Sequence, residues 1–568
     1  MLKHLKFLAS LFIALPLLAA CEEQLTTQQE KADRVFINGK VLTMASKTPM
    51  AQAVAIKDGR ILAIGSTSRI TRFQGDATQI TDLNGKVLMP GFFQTHAHFP
   101  FIAMKSQLVN IDPPPSGDVV DIASLIKKLQ TVASQTPAGQ PIFAIGYDDT
   151  LMKELRHPTK FDLDKVSTNH PVFLIHISFH FATMNSYALN LINVTADTPN
   201  PEGGIIRRVS GTQEPDGVFE EAAMVYLEKL MPKPDPQQIF KSYTKTMYDL
   251  AAKGYTTVVD HASMAEGEQA YQAMAKMQLL PLDLVAYRRL ASDKDPKISP
   301  SLNYENNYRL GGYKIVLDGS LQGYTGYLTK PYHVMPPHQH NDNHRGYPHL
   351  PPETLEKLVL RAFEENAPLL VHTNGDAATD VYLTAVEKAR AAYPENEIRP
   401  VIIHAQTMRE DQIDKAKKLN MLASFFVDHV YFWGDRHRDV FLGPDRAARI
   451  SPTASSLRKG LRFTLHDDAP IVAADPLRSA WVAVNRQTSS GKILGQNQRI
   501  TVLQALKALT LDAAFQHFEE NEKGSIEIGK RADMIILDND PTRVESMRIK
   551  DIQVLETIKD GQTVFVKN

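Results

Sequence analysis

Two histidines separated by one residue, His96 and His98, most constrain what this chain can fold into. They follow the largely apolar run Met89-Pro90-Gly91-Phe92-Phe93-Gln94-Thr95. Residues i and i+2 of a β-strand project to the same face, so the pair can close on one metal ion if this run is a strand. Two histidines in this spacing also occur by chance in polar loops. The pair therefore needs support from the rest of the chain.

The composition is that of a large folded protein. The 568 residues are 43% hydrophobic and 22% charged, which is enough for a sizeable core. The length allows roughly two to four domains. A formal net charge of −1 gives no bulk electrostatic reason for a nucleic-acid or acidic-lipid partner. We therefore expect a small-molecule partner and no nucleic acid, and we look for function in local sites.

The first residues have the pattern of an export signal. Lys3 and Lys6 precede an apolar stretch over residues 7–20, which is short for a membrane span but suits the h-region of a secretory signal. The stretch ends in Leu18-Ala19-Ala20-Cys21, which resembles a bacterial lipobox, in which the cysteine is lipidated. The alternative is an ordinary cleaved signal with a chance cysteine. We expect residues 1–20 to be a signal peptide and Cys21 to carry the lipid.

Lipidation at Cys21 also predicts where the protein works. Residues 22–31 are polar and lack apolar periodicity, which is typical of a flexible tether. Cys21 is the only cysteine of the chain, so it has no partner for an intramolecular disulfide. A lipid on this residue holds a protein at a membrane surface without a spanning helix. We therefore expect an exported protein of the bacterial cell envelope that faces the periplasm and touches the membrane only through this anchor.

Both ends of the mature chain are rich in β-structure signals. Short apolar runs near the N-terminus are separated by Asn38-Gly39 and Asp58-Gly59, and Asp560-Gly561 separates two such runs near the C-terminus. Asn-Gly and Asp-Gly between apolar runs are strong signals for a β-hairpin. Each piece is short for an independent core. We expect residues 32–88 and 515–568 to form one β domain together.

Residues 89–514 alternate apolar strands with amphipathic helices. The helical stretches include residues 377–392 and 409–419. Repeated βα units over several hundred residues predict an α/β fold of the (β/α)8 TIM-like barrel type, with a doubly wound sheet as the weaker alternative. A proline-rich, less regular stretch within about residues 112–236 predicts an insertion that caps the barrel mouth. The predicted strands are residues 256–259, 282–285, 313–317, 368–371, 401–403, 422–425 and 462–465.

Side chains that can bind metal occur at the predicted carboxyl ends of these strands, where a barrel of this type builds its active site. Each alone has a structural explanation, such as a buried histidine bonded to backbone or an aspartate that caps a helix. Six of them at the ends of five strands favour a shared site. They are His96, His98, Lys314, His372, His404 and Asp468.

The chain resembles the amidohydrolase superfamily, in the branch that includes N-substituted formamide deformylases. The resemblance extends through nearly the whole mature chain and is specific for the family but weak on the substrate. It implies a metal-bearing barrel with a composite β-sandwich built from both chain ends. The motifs that carry it are Pro90-Gly91-Phe92 leading into His96-x-His98, Lys314-Ile315-x-x-Asp318-Gly319, His372-x-x-Gly375-Asp376, His404-Ala405-Gln406, Asp468-Ala469-Pro470, and residues 524–533.

The resemblance implies a role for each of these side chains. His96 and His98 would bind one ion and His372 and His404 a second, with zinc the expected metal. Lys314 would be N-carboxylated and bridge both ions, because a free ammonium has no lone pair to offer a cation. Asp468 would bind metal and act as the acid and base. Some members of the superfamily work with one metal, so one or two divalent ions are expected.

Other residues near these motifs are weaker candidates. Asp467 and Asp468 cannot both face the metal if their segment is extended, because adjacent residues alternate faces. Asp468 is the choice that matches the family motif. The resemblance also suggests substrate-binding positions, which are His180, His429 and Trp433.

The sequence thus predicts a metal-dependent amidohydrolase that cleaves a carbon-nitrogen bond, of an amide or formamide type, other than a peptide bond. The attacking species would be a hydroxide activated by the metal. One alternative keeps the fold but changes the bond to an ester, lactone or phosphoester. Another is a surface lipoprotein that has kept the barrel without catalysis.

Overall fold

A computed structural model of the chain describes residues 30–201, 204–228, 235–336 and 343–567. The expected signal peptide, Cys21 and most of the tether lie outside the described residues. Within the described ranges, no helix is both long and apolar enough to cross a membrane.

The N-terminal segment forms seven short strands and one short helix. They are β1 Arg34–Ile37, β2 Lys40–Leu42, β3 Met50–Ala51, β4 Ala53–Lys57, β5 Arg60–Gly65, α1 Thr67–Ile70, β6 Gln79–Asp82 and β7 Val87–Pro90.

A first part of the α/β region begins at β8 and contains six further strands. Its elements are β8 Phe92–Phe93, α2 Phe99–Lys105, β9 Val109–Asn110, α3 Ile122–Ala133, β10 Ile142–Tyr147, α4 Lys160–Leu163, β11 Val172–His176, β12 Phe181–Met184, α5 Ser186–Leu191, β13 Gly204–Arg208, β14 Pro215–Glu221 and α6 Val225–Glu228.

The remaining elements alternate strands with helices and then return to β-structure. They are α7 Pro236–Ala251, β15 Tyr255–Ser263, α8 Ala265–Lys276, β16 Asp283–Arg289, β17 Tyr308–Val316, α9 Pro352–Glu364, β18 Leu369–Thr373, α10 Asp376–Ala392, β19 Val401–His404, α11 Glu410–Lys418, β20 Leu422–Phe426, α12 His429–Arg436, α13 Pro444–Ala447, α14 Thr453–Lys459, β21 Phe463–His466, α15 Pro476–Asn485, α16 Val502–Ala508, α17 Leu511–Gln516, β22 Met534–Leu537, β23 Val554–Lys559 and β24 Gln562–Val566.

The two ends of the chain share one sheet. It has the order β24-β23-β22-β7-β2-β3, and β7 pairs antiparallel with β22. A second sheet, β5-β4-β1-β6, comes from the N-terminal segment alone. The sheets share a buried apolar cluster that includes Phe36 and Val54 from one sheet and Met534 and Ile558 from the other. Neither sheet has a large core alone, so burial of these side chains holds the two together.

Two of the three predicted hairpins are confirmed and one is wrong. Asp58-Gly59 joins the antiparallel strands β4 and β5, and Asp560-Gly561 joins β23 and β24. All four of these residues have positive φ, as a tight two-residue hairpin turn requires. At Asn38-Gly39 only the asparagine has positive φ. The strands on either side, β1 and β2, consequently enter different sheets.

An eight-stranded parallel sheet forms the centre of the molecule. Its order is β21-β20-β19-β18-β17-β16-β15-β8, which follows the chain, and every neighbouring pair is parallel. Each of the seven predicted strands of the α/β region corresponds to a strand of this sheet, with ends that differ by a few residues. Beyond β8 and β21, Ala97 forms a parallel bridge with Ala469, and the Thr95 hydroxyl donates to Leu465 O at 2.7 Å. These contacts bring the two edge strands together.

The strand that leads into His96 differs from the expectation. The run Val87–Pro90 is β7, which belongs to the sheet shared by the chain ends, and the first strand of the parallel sheet is only Phe92–Phe93. Gly91 separates the two strands, and a Cβ there would lie 2.3 Å from the Thr256 side chain. His96 and His98 therefore follow a strand instead of lying within one.

The insertion is more regular than expected from its composition. Strands β9 to β14 form a six-stranded mixed sheet in the order β13-β14-β12-β11-β10-β9, which lies in the chain between β8 and β15. Two buried apolar clusters belong to this region, one around Leu125 and Leu174 and one around Phe173 and Phe219. The insertion thus has a core of its own, which the proline-rich sequence did not reveal.

Candidate metal centre

The parallel sheet places all six candidate side chains at the carboxyl ends of its strands. His96 and His98 follow β8, and Lys314 lies near the end of β17. His372 lies near the end of β18, His404 ends β19, and Asp468 comes two residues after β21. Parallel strands end at the same edge of a sheet, so residues far apart in sequence meet there.

Short distances connect these side chains into one cluster. His96 Nε2 lies 3.1 Å from Asp468 Oδ1, and His98 Nε2 lies 3.6 Å from the same oxygen. Lys314 Nζ lies 3.4 Å from His96 Nε2. The ligand atoms of His96, His404 and Asp468 all lie within 4.8 Å of one another. The rings of His404 and His372 are 4.3 Å apart between centroids, which joins His372 to the same cluster.

Burial keeps the histidines of the cluster neutral. It lowers the pKa of His96 and His404 well below the ordinary value and that of His98 to about 3. The charge of Lys314 or of neighbouring histidines adds to the effect. A neutral imidazole has a lone pair to offer a cation, whereas an imidazolium has none. The site therefore presents ligands in the protonation state that metal binding needs.

Lys314 and Asp468 shift in opposite directions for the same reason. Burial lowers the pKa of the Lys314 ammonium and raises the pKa of the Asp468 carboxyl, because the charged form of each loses its hydration. The opposite charge of each residue counteracts part of the shift of the other. Lys314 is thus closer to the neutral amine than an exposed lysine would be.

The hydrogen-bond pattern of this cluster leaves buried lone pairs that a cation could satisfy. His96 Nδ1 lies 2.9 Å from His261 Nδ1, so one ring must donate to the other. If His96 donates, its Nε2 carries a lone pair that faces Asp468 Oδ1, an oxygen that is buried without a hydrogen-bond partner. His404 Nδ1 is also buried and unbonded. Buried lone pairs that face one another are unfavourable unless a cation lies between them.

His261 was not predicted, although a signal for it exists. It lies in β15, the second strand of the parallel sheet, two residues beyond the predicted strand 256–259. Its position at a strand end matches that of the other candidates. It carries no family motif, and for that reason the sequence did not single it out.

A carboxylate orients His372. Asp318 Oδ1 lies 3.0 Å from His372 Nδ1, and the same carboxylate accepts from the backbone N–H groups of Asn374, Gly375 and Tyr327 at 2.8 to 3.0 Å. These bonds leave Asp318 as the acceptor for a proton on Nδ1, so the lone pair of a neutral His372 lies on Nε2. The Asn374 amide nitrogen lies 3.3 Å from this Nε2 and donates to it in the absence of a cation. Asp318 was part of a family motif, but the sequence alone gave it no role.

Asp467 and Asp468 face in different directions. Asp467 accepts from the Tyr255 hydroxyl at 2.9 Å and from the backbone N–H of Asp475 at 2.9 Å. It also accepts from the N–H of Ala469 at 3.2 Å. Asp468 has a φ of 54°, a conformation unfavourable for a residue with a Cβ. The bonds of Asp467 hold the turn that aims Asp468 at the histidines.

The three weaker candidates lie at different distances from the cluster. The His429 ring lies 6.3 Å from that of His404. His180 lies in the insertion, where its Nδ1 is 2.9 Å from Glu221 and its ring is 6.4 Å from that of His349. The Trp433 indole donates to Asp148 in the insertion at 3.2 Å. Their roles in substrate binding stay predictions.

A second group of possible ligands lies in the insertion. It consists of Asp148, Asp149 and His176, with His176 Nε2 3.1 Å from Asp149 Oδ1. The backbone N–H of Ser178 donates to His176 Nδ1 at 3.1 Å, which places the proton of a neutral ring on Nε2. Nε2 then carries the proton, 3.1 Å from Asp149 Oδ1, and has no lone pair for a cation. This group is a histidine-carboxylate contact instead of a second metal centre.

Two curated proteins are similar to this chain along nearly its whole length. The N-substituted formamide deformylase of Arthrobacter pascens is 28% identical over 543 residues, which cover 93% of this chain and 97% of that protein. The putative amidohydrolase YtcJ of Bacillus subtilis (strain 168) is 27% identical over 94% of this chain and 99% of that protein.

Solved structures show the same fold. The crystal structure of an uncharacterized metal-dependent hydrolase from Pyrococcus furiosus is 25% identical and superposes with a TM-score of 0.67 over 90% of this chain and 100% of that chain. A second such hydrolase, from Pyrococcus horikoshii OT3, is 23% identical, with a TM-score of 0.70 over 90% and 99% of the two chains. A family model described as the amidohydrolase family matches residues 79–565. Because this match spans most of its length, the chain belongs to the amidohydrolase family.

Proposed function

We propose that the protein is a metal-dependent hydrolase of a carbon-nitrogen bond, of an amide or formamide type, in a small molecule. One observation carries the proposal: His96, His404 and Asp468 converge from three strands, with their ligand atoms within 4.8 Å of one another. Membership of the amidohydrolase family and the likeness to a formamide deformylase support it. The expected ions are one or two, with zinc the expected metal.

The architecture that we propose around this centre is a closed (β/α)8 barrel over residues 89–514. The contacts between the two edge strands support closure. Residues 32–88 and 515–568 would form the composite β-sandwich, which the pairing of β7 with β22 supports. The insertion within about residues 112–236 would cover the barrel mouth.

The residues of the chain divide the work of hydrolysis. A divalent ion, when bound, supplies Lewis-acid polarisation of the amide carbonyl and a water with a lowered pKa. His96, His98, His372, His404 and Asp468 would hold it, together with Lys314 once this lysine is carboxylated. His261 and Asp318 would fix the ring nitrogens that face it.

Asp468 is the residue that we assign to proton transfer. Burial raises the pKa of its carboxyl, so it can take a proton from the attacking water near neutral pH and then give it to the leaving nitrogen. Its buried Oδ1 makes no hydrogen bond with a described residue and is therefore available. A positioned acid and base of this kind typically contributes about 10²- to 10⁴-fold in rate.

Lys314 is the residue that we propose is N-carboxylated. Carbamate formation adds carbon dioxide to the neutral amine and releases one proton. Burial lowers the pKa of Lys314 and so favours the neutral amine. The product would offer two anionic oxygens close to His96, in place of an ammonium that repels cations.

Location remains a separate proposal. The lipobox-like Leu18-Ala19-Ala20-Cys21 supports an exported lipoprotein of the bacterial cell envelope, anchored through Cys21 and facing the periplasm. Radiolabelled palmitate supplied to expressing cells is expected to label the wild type and not Cys21→Ser. Equal labelling of both proteins would contradict the anchor.

Metal content and hydrolysis measured on the same samples test the proposed function. Elemental analysis of purified protein is expected to find one to two divalent ions per chain. A panel of N-substituted formamides and acetamides is expected to release amine, and removal of the metal by a chelator should abolish release until zinc is restored. A folded, metal-free protein with undiminished amide hydrolysis would refute the proposal, and a protein that hydrolyses only the matched esters or lactones would change the bond.

A further inference from the structure

Arg436 is a cation without an anionic partner in the described part of the chain. It is the last residue of α12 and is half-buried. Its Nε is buried and makes no hydrogen bond with a described residue, and no described carboxylate lies within 4 Å of its guanidinium. Arg438, two residues later, instead pairs with Asp435 at 3.2 Å and Asp439 at 2.6 Å. A buried donor that is left unpaired costs free energy, so an arginine in this state is suited to a ligand.

Arg436 lies at the end of a helix that begins beside the metal centre. Helix α12 begins just after β20, the seventh strand of the parallel sheet, and its first residue is His429. His429 lies beside the centre, with its ring 6.3 Å from that of His404. Arg436 is seven residues further, which is about two helical turns on the same face and about 10 Å along the axis. A small molecule that spans about this length could contact both the metal centre and the guanidinium.

The Phe441 ring and the Tyr324 side chain lie next to this guanidinium. Arg436 lies over the Phe441 ring, 5.3 Å from its centroid, and the Tyr324 ring lies 5.2 Å from that of Phe441. Tyr324 comes from the segment after β17, so it also belongs to the carboxyl end of the sheet. Burial raises the pKa of Tyr324, and the charge of Arg436 partly offsets this rise, as expected of neighbours. The tyrosine hydroxyl makes no hydrogen bond with a described residue, and the half-buried side chain leaves it free to donate.

The nearby charges and the backbone after Arg436 also favour a ligand site. The Asp149 carboxylate also raises the pKa of Tyr324. His176 Nε2 already lies 3.1 Å from Asp149 Oδ1, so this carboxylate has a partner of its own. Directly after Arg436 the chain forms a π-helical turn over His437–Phe441. Turns of this type are rare and occur frequently at functional sites. The turn carries Phe441 beneath the guanidinium.

We propose that Arg436 and Tyr324 form an anion-binding subsite at the entrance of the metal centre, and that the substrate is an amide that carries a carboxylate. This inference rests on the proposed function, whose substrate class it narrows. The guanidinium would bind the carboxylate through charge-assisted hydrogen bonds while the amide lies at the metals. The Tyr324 hydroxyl would donate to the same group.

Paired substrates with and without the charge test this subsite. The probes are N-formyl-leucine and its neutral carboxamide, assayed with the zinc-loaded full chain as wild type, Arg436→Met and Arg438→Met. The wild type is expected to prefer the carboxylate in kcat/KM. Arg436→Met should lose about 10- to 100-fold on the carboxylate, the usual worth of a charge-assisted hydrogen bond, and little on the carboxamide. Arg438→Met is the control, because its charge is already paired, and it should keep the preference.

Three other results decide against the subsite or separate it from the proposed function. Equal kcat/KM for both probes in the wild type would overturn the subsite, and so would an equal loss on both probes in Arg436→Met. If the protein hydrolyses neither probe nor any other amide, the proposed function fails. Calorimetric titration with N-acetyl-leucine then decides on the subsite alone: binding that Arg436→Met abolishes supports it, and binding that is absent or unchanged overturns it.

Discussion

At the scale of single residues, the ligand character of His96 depends on the ring behind it. His261 lies 2.9 Å from His96 through the Nδ1 atoms, and both side chains are fully buried. An acceptor at this position fixes the proton of His96 on Nδ1 and turns Nε2 toward the metal. Carboxylates and backbone carbonyls more often fill this role, and here a neutral histidine ring fills it.

Removal of this acceptor is expected to weaken metal binding. In His261→Ala the Nδ1 proton of His96 has no partner, and loss of such a contact typically costs about 10- to 100-fold in metal affinity. His261→Asn keeps an oxygen that can accept, so it should retain more metal. The zinc content per chain after dialysis against a competing chelator is expected to be highest in the wild type, lower in His261→Asn and lowest in His261→Ala. Equal zinc content in all three proteins would show that His261 does not position His96.

Asp260 predicts a pH dependence of stability. Burial raises the pKa of its carboxyl from the ordinary value of 3.8 to about 7, although the Tyr271 hydroxyl donates to it at 2.8 Å. Between these values the unfolded chain releases the proton while the folded chain keeps it, so the free energy of unfolding falls as the pH rises. The full fall is on the order of a few kcal/mol.

Asp260→Asn removes this titration and keeps an acceptor for Tyr271. The melting temperature of the variant relative to wild type should therefore rise from pH 4 to pH 7. A difference between the two proteins that does not change with pH would contradict the assignment.

The sequence motifs predicted the residues of the metal centre, but they did not predict the hydrogen-bond partners that orient these residues. His96, His98, Lys314, His372, His404 and Asp468 could be named because each combines a strand end with a ligand side chain. His261 and the bonds of Asp318 could not, because a hydrogen-bond partner is fixed by tertiary packing. Arg436 is of the same kind: the sequence shows an arginine, and only the structure shows that no carboxylate of the described residues pairs with it.

At the scale of elements, helix α12 joins the insertion to the parallel sheet. The Trp433 indole donates to Asp148 at 3.2 Å, and Asp148 is almost fully buried at 2% exposure. The same carboxylate accepts from Thr150. Without the indole, one of its buried oxygens would lack a donor, at a cost of about 1 to 3 kcal/mol.

Trp433→Phe should therefore loosen the contact between α12 and the insertion. Hydrogen exchange is expected to speed up in β10, in the residues after it and in α12, with little change in the strands of the parallel sheet. The matched control is Trp481→Phe, because the Trp481 indole nitrogen is buried without a hydrogen-bond partner in the described residues. Similar exchange rates at the insertion in both variants would show that the Trp433–Asp148 hydrogen bond does not hold the insertion to α12.

The types of the elements could be predicted, but not all of their partners. The strands of the parallel sheet follow from short apolar runs, because such strands are buried on both faces. The turn at Asn38-Gly39 and the partners of β7 could not be predicted, since local sequence does not specify which sheet a strand enters. The insertion shows the same limit, because the contacts that hold its sheet link runs far apart in the chain.

At the scale of the whole molecule, buried charges join the C-terminal segment to the parallel sheet. Asp283, at the start of β16, forms ion pairs with Lys523 and, at 3.1 Å, with Lys559. Glu519 lies 2.7 Å from Lys523 and 2.6 Å from Arg309 at the start of β17. All these side chains are at most 5% exposed, so each charge depends on its partners.

Asp283→Asn is expected to destabilise both parts together. It leaves two buried ammonium groups with less compensation, and breaking such a pair typically costs about 3 to 5 kcal/mol. Unfolding in urea is measured by tryptophan fluorescence and by hydrogen exchange in β22 to β24. Both measurements should give a lower unfolding midpoint than in the wild type, and the two decreases should be equal. Lys57→Met, which breaks the exposed pair with Asp33, is the control and should change little. Shifts of equal size in the two variants would contradict this account.

The central claim is that Asp468 performs proton transfer at a metal centre, and hydrolysis by Asp468→Asn tests it most directly. The measurement is amine release from the best N-substituted formamide of the panel, with zinc content and circular dichroism recorded on the same samples. The account predicts a folded variant that still binds zinc and has lost at least about 10²-fold in kcat. A folded variant with the metal content and kcat of the wild type would contradict it.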